Sequence, residues 1–131
     1  MAVVVDTDVV SFLFKEDTRT PLYTPHIINV PKFISFMTFA ELRRWKLQSN
    51  WGNKKSAKFE EFLSDFGIIH SDELLCEVRA EIRFDAHQYG NPIDTADAWV
   101  AAVGLYFDIP LVTNNRRHFE NVKNLKIISE S

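Results

Sequence analysis

Val3, Val4 and Val5 run directly into Asp6, Thr7 and Asp8. Three consecutive β-branched residues predict a strand buried on both faces, and a strand without polar alternation belongs in a parallel sheet covered by helices. Ligands bind such sheets outside the carboxyl ends of the strands, so the acids that follow Val5 mark a site. Asp6 and Asp8 bear two readings at this point: a metal or phosphate centre, or a helix cap.

The rest of the chain alternates strand and helix signals. Asp8 is expected to cap a helix carrying Val9, Val10, Phe12, Leu13 and Phe14, and a short apolar piece follows at 22–28. Pro31 bounds a second strand at 32–36, and Thr38 starts a helix through Leu47 that breaks around Asn50, Trp51, Gly52 and Asn53. A further helix at 54–66 ends at Gly67, and a third strand occupies 68–70. A long helical period covers 72–89 and stops at Gly90-Asn91-Pro92. Residues 94–107 form an Ala-rich helix whose small residues at 96, 98, 101 and 102 allow close packing on a sheet, before strands at 110–113 and 125–128. This order predicts an α/β fold of three layers, with a mostly parallel five-stranded sheet between helices, in one domain over 1–131.

Composition narrows the class. A chain 46% hydrophobic and 25% charged has enough apolar content for a core and is not a disordered tail. It has no apolar run long enough for a membrane span and no signal-peptide pattern, so a cytoplasmic location is expected. The single Cys76 sits among Leu74, Leu75, Val78 and Ile82 and reads as a buried thiol, with no partner for a disulfide or a Cys-based zinc site. A net charge of −3 excludes coating nucleic acid by bulk charge. Locally, Arg43, Arg44, Lys46, Lys54, Lys55 and Lys58 form one basic stretch and Arg116, Arg117, His118 and Lys123 another. These are either phosphate contacts or solvated helix faces.

Four polar positions fall where the strands end or the next helix begins: Asp6, Glu41, Asp97 and Asn115. Each acid has a local reading too. Thr38 and Glu41 fit a capping box, and Asp94 with Asp97 places an acid at a cap and another three residues on. Taken together they point to a cation, since two carboxylates about 5 Å apart repel by roughly 3 kcal/mol at an effective dielectric near 20. Mg2+ suits such a rim because it takes oxygen ligands, keeps several waters and binds through one or two carboxylates.

The fragments Val-Val-Val-Asp6-Thr-Asp, Met-Thr-Phe-Ala-Glu41-Leu, Ala-Asp97-Ala-Trp-Val-Ala-Ala and Leu-Val-Thr113-Asn-Asn115-Arg-Arg-His-Phe, in this order, resemble the PIN-domain ribonucleases, in particular the VapC-type toxins of toxin-antitoxin pairs. The resemblance covers nearly the whole chain. It implies a five-stranded parallel sheet and an acidic pocket for Mg2+ or Mn2+, formed by Asp6, Glu41 and Asp97, with Asn115 where many members carry a fourth acid. Asp6 and Asp97 would hold the metal and Glu41 would assist as ligand or base, with RNA hydrolysis leaving a 3′-hydroxyl and a 5′-phosphate. Asp97 is preferred to Asp94, which is left as the cap, and Asp8 is assigned to capping. Arg43, Arg44, Arg116 and Arg117 would hold the RNA backbone, and Thr113 would bond to an acid or a phosphate. The resemblance also implies a cognate antitoxin across the pocket and a homodimer formed through helices.

Two other readings use the same residues. A haloacid-dehalogenase-like phosphatase would employ Asp6 as nucleophile and Asp8 as acid/base, but it needs a late Lys and paired Asp residues that do not appear after Thr113. A receiver domain needs an acceptor Asp after the third strand, where His70 and Ser71 stand. A catalytically silent PIN fold that acts only as a binding module is the reading favoured by Asn115.

Overall fold

The computed structural model describes residues 1–131. It contains β1 (Val3–Val5), α1 (Thr7–Lys15), α2 (Thr20–Ile27), β2 (Lys32–Ser35), α3 (Phe36–Ser49), α4 (Asn53–Leu63), β3 (Gly67–Ile69), α5 (Glu73–Gln88), α6 (Thr95–Phe107), β4 (Leu111–Val112), α7 (Arg116–Phe119) and β5 (Ile127–Ile128). The strands lie in the order β3-β2-β1-β4-β5 and every pairing is parallel. The strand that opens the chain is therefore central, as its uninterrupted valines require.

Alternation along β1 divides the core. Val3 and Val5 join Val9, Val10, Phe12, Tyr23, Leu42 and Phe59 on one face, and Val4 joins Leu75, Ile82 and the small residues of α6 on the other. All three valines are fully buried. Ala98, Ala101, Ala102 and Gly104 let α6 lie close to the sheet; a Cβ at Gly104 would stand 2.7 Å from Leu125 Cδ1. No helix is long and apolar enough to cross a membrane.

The structure corrects several expected boundaries. The piece at 22–28 is the core of helix α2, where Tyr23 and Ile27, four residues apart, are buried; Pro21 and Pro25 mask this pair in the sequence. Helix α4 stops at Leu63, and Gly67 opens β3 instead of ending the helix. Gly67 pairs with Phe33, whose ring lies so close that a Cβ would come within 2.5 Å of it. A side chain there would displace the ring. Strand β2 ends at Ser35, and Ser35 caps α3 by accepting a hydrogen bond from the Thr38 amide at 3.0 Å. Thr38 is thus inside the helix, and the Thr38–Glu41 capping box does not form. Cys76 is exposed, because its neighbour Leu75 takes the inward position on α5.

Candidate active site

Asp6 stands at the carboxyl end of β1, where its own amide donates to Val112 O at 2.9 Å and closes the ladder. Pairing ends there, so α1 begins at Thr7 and Asp6 is its N-cap, with Oδ1 accepting from the Thr7 amide at 2.8 Å. This overturns the expected cap at Asp8. Asp8 lies in the first turn and accepts from two backbone amides, Val9 at 2.7 Å and Asn114 at 3.1 Å, so it ties the start of α1 to the segment after β4.

The second oxygen of Asp6 accepts a hydrogen bond from the Thr113 hydroxyl at 2.7 Å, and that hydroxyl accepts from the Asn115 amide at 3.0 Å. Asp6 is only 6% exposed. Burial, followed by the charge of Asp8, pushes its carboxyl up to about 7, against the hydrogen bonds from Thr113 and Thr7; Glu41 adds to the rise. Glu41 projects from α3 and accepts from the Thr7 hydroxyl at 2.7 Å, and Thr7 also lies 3.1 Å from the Thr38 hydroxyl.

Asp97 sits in the first turn of α6, whose N-cap is Asp94, accepting from the Thr95 amide at 2.7 Å. Asp94 is thus the cap, as expected. Burial and the charge of Asp6 raise Asp97 to about 6, and His118 opposes the rise with Nδ1 at 3.0 Å from Oδ2. Asp8 is raised as well, by burial and by Asp97. Asp6, Asp8, Glu41 and Asp97 therefore form one electrostatic group drawn from α1, α3 and α6.

Other expected site residues lie differently. Asn115 is exposed at the head of α7 and reaches the acids through its backbone amide alone; its side chain makes no capping bond. Arg43 pairs with Glu60 and stacks over Phe39 at 4.6 Å, so its charge is engaged between α3 and α4. Arg44, Arg116 and Arg117 are exposed. Thr113 is fully buried, and its bond to Asp6 is that of a positioning group.

Four residues of this site were not legible as such. Thr7 stands between the two leading acids, and no local pattern assigns it a role. Asn114 accepts from Tyr23 Oη at 2.6 Å, and Tyr23 in turn accepts from the Glu130 amide at 3.0 Å. These contacts join positions far apart in the chain, which no local spacing reveals. His118 was grouped with a basic patch because its link to Asp97 spans α6, β4 and α7.

The donor set fits a hard divalent cation. Asp6, Asp8, Glu41 and Asp97 offer carboxylate oxygens only, and their mutual repulsion is what such a cation relieves. No three His, Cys, Asp or Glu side chains stand close enough together to hold a metal ion among them.

The family profile of the PIN domain matches residues 3–125. Ribonuclease VapC1 of Haemophilus influenzae strain R2866 is 22% identical over 128 residues, covering 96% of each chain. The fold is similar to a chain of VapBC2 from Rickettsia felis bound to a DNA fragment from its promoter, with TM-score 0.84, 24% identity and 98% of both chains covered. It is equally similar to a chain of DNA-bound VapBC from Salmonella typhimurium, with TM-score 0.85, 22% identity and the same 98% coverage of both.

Proposed function

Because the chain belongs to the PIN domain family, we propose that it is a metal-dependent endoribonuclease and the toxin of a toxin-antitoxin pair. The observation that carries this reading is the convergence of Asp6, Glu41 and Asp97 at the carboxyl end of the central strand, with Asp6 and Asp97 both raised by burial and by neighbouring charge. The likeness to a protein named as a ribonuclease supports the reaction, and the likeness to chains solved as VapBC complexes supports the pairing.

Asp6 and Asp97 would hold Mg2+ or Mn2+. When bound, the cation supplies a water that ionises near neutral pH and positive charge beside the scissile phosphate. The chain's own groups do the positioning. Thr113 and the Thr7 amide hold the two oxygens of Asp6, His118 orients Asp97, and the Thr7 hydroxyl steadies Glu41. Glu41 would take the proton of the attacking water; the water oxygen would bond to phosphorus as the bond to O3′ breaks, and O3′ would take a proton from solvent, leaving a 3′-hydroxyl and a 5′-phosphate. Arg44, Arg116 and Arg117 supply exposed cations for the RNA backbone, and Arg43 joins them only by leaving Glu60.

The antitoxin would lie across the acid group, and a homodimer would form through helices, where exposed apolar residues such as Leu74 and Phe84 of α5 are available. The phosphatase alternative needs Asp8 as a proton donor, whereas both its oxygens accept backbone amides. A silent binding module is favoured by Asn115, but the three acids required for chemistry are present. Incubation of the purified protein with a panel of RNAs in Mg2+ or Mn2+, beside an Asp97→Asn control, tests the reading. Cleavage by the unaltered chain and not by the control is expected; equal activity in both removes Asp97 from the site, and no cleavage in either overturns the enzyme.

A further inference from the structure

A cavity of about 630 Å³ lies between α5, the 90–93 loop, α6 and the segment from α7 to β5. Its volume is in the range of small-ligand sites, roughly 300–1,000 Å³. The floor is apolar, made by Val78, Ile82, Ile93, Leu105 and Val122, and Tyr89 stands on the rim with 78% of its surface exposed. Arg117, Lys123, Asn121, Asn124, Glu81 and Asp85 complete the wall, and their side chains make no hydrogen bond or ion pair within the protein. The wall thus presents free donors and free acceptors over an apolar base.

Its place is as informative as its lining. His118 belongs to the cavity wall and also lies 3.0 Å from Asp97, so this one side chain links the cavity to the acid group, none of whose carboxylates lines it. A purely anionic ligand is disfavoured by Glu81 and Asp85, and a purely apolar one by the polar wall. A nucleobase meets both conditions: its faces are apolar and stack on an aromatic ring, and its edge carries donors and acceptors that Asn, Asp and Glu read. Resting on the ribonuclease reading, we propose that this cavity receives an unpaired RNA base next to the phosphate cut at Asp6 and Asp97, with Tyr89 stacking on it and Asn121 and Asn124 reading its edge. The cavity then determines which base flanks the cleaved bond.

The test has two arms. In the first, the four ribonucleoside 5′-monophosphates and ribose 5-phosphate are titrated without metal, and the side-chain amides of Asn121 and Asn124 are followed by NMR. Saturable shifts with at least one nucleotide, absent with ribose 5-phosphate and about tenfold weaker in Tyr89→Ala, are expected. Equal shifts with ribose 5-phosphate would make this a phosphate site, shifts that depend on protein concentration alone would make it a contact between copies, and no shifts would leave it without a ligand; each overturns the proposal. In the second, an RNA pool with randomised flanks is cleaved by the unaltered protein and by Tyr89→Ala. A flanking-base preference that flattens in the variant supports the proposal, and one that is unchanged overturns it while the ribonuclease reading stands. If the pool is not cut at all, the ribonuclease reading and the flanking-base role fall together, and nucleotide shifts in the first arm then mark a nucleotide site of another kind.

Discussion

His118 reaches across from α7 to place Nδ1 3.0 Å from Oδ2 of Asp97 in the first turn of α6. The imidazole lowers the pKa of an acid that burial and Asp6 raise. Removing it in His118→Ala should push Asp97 above its value of about 6, so protons compete better with a cation. Apparent Mg2+ affinity, followed by calorimetry, should fall several-fold near neutral pH and recover as pH rises. Unchanged affinity across the range would show that His118 does not act on Asp97.

Asp6 also bears on the stability of the fold. Its folded pKa of about 7 lies above the ordinary 3.8, so between these values the native state holds a proton that the unfolded chain has lost. Metal-free protein should therefore melt at progressively lower temperature as pH rises from about 4 through about 7. Asp6→Asn should weaken this dependence, leaving the parts due to Asp8 and Asp97, raise the melting temperature at pH 8 and abolish the proposed cleavage. A flat profile in the unaltered protein, by calorimetry in EDTA, would contradict the assignment.

A divalent cation should reverse the same trend. At a concentration one hundred times its dissociation constant, a ligand of the native state alone stabilises it by about 2.7 kcal/mol. Added Mg2+ or Mn2+ should raise the melting temperature at pH 8 in the unaltered chain and leave Asp6→Asn and Asp97→Asn nearly unmoved.

Thr113 donates to Asp6 and accepts from Asn115 within the fully buried end of β4. Thr113→Val keeps the shape but deprives the carboxylate of its hydroxyl partner and the Asn115 amide of its acceptor. A loss of about 1.5–3 kcal/mol in unfolding free energy is expected, since one partner is charged. The alkaline shift of Asp6 should appear as a cleavage profile displaced to higher pH.

Tyr23 is fully buried and carries the link from Asn114 to the Glu130 amide. Tyr23→Phe should cost about 1–3 kcal/mol through the unsatisfied Asn114 side chain and Glu130 amide. Hydrogen exchange should accelerate at Glu130 and at Asn114, whose amide bonds to Asp8. Protection unchanged at both would show that the strap does not hold the segment.

Much of this was legible in the sequence where the signal is local. Val3–Val5 gave a central buried strand because period and length agree, and Asp94 gave its helix start because a cap acts on the residue beside it. Asp8 misled because a cap is judged from the helix alone, whereas the helix start was set by Asp6 pairing with Val112 across the sheet. Ser35 was missed for the same reason: β2 passes into α3 without a loop, so strand and cap fall on one residue. His118, Tyr23 and Asn114 depend on contacts between distant elements, and only packing brings them together.

The opposite facing of Val4 from Val3 and Val5 has a genetic consequence. The three valines are identical, so in-frame loss of any one codon among residues 3–5 gives the same sequence; held at Asp6, the strand then carries Ala2 in the place of Val3, and only the cluster that Val3 and Val5 share loses apolar volume. Loss of two puts Ala2 in the place of Val4 and Met1 in that of Val3, so both clusters lose their fit. The codons of this strand should therefore accept exchange of valine for isoleucine or loss of a single valine better than loss of two, or than threonine, whose hydroxyl would be buried without a partner, and a deep mutational scan would register that order.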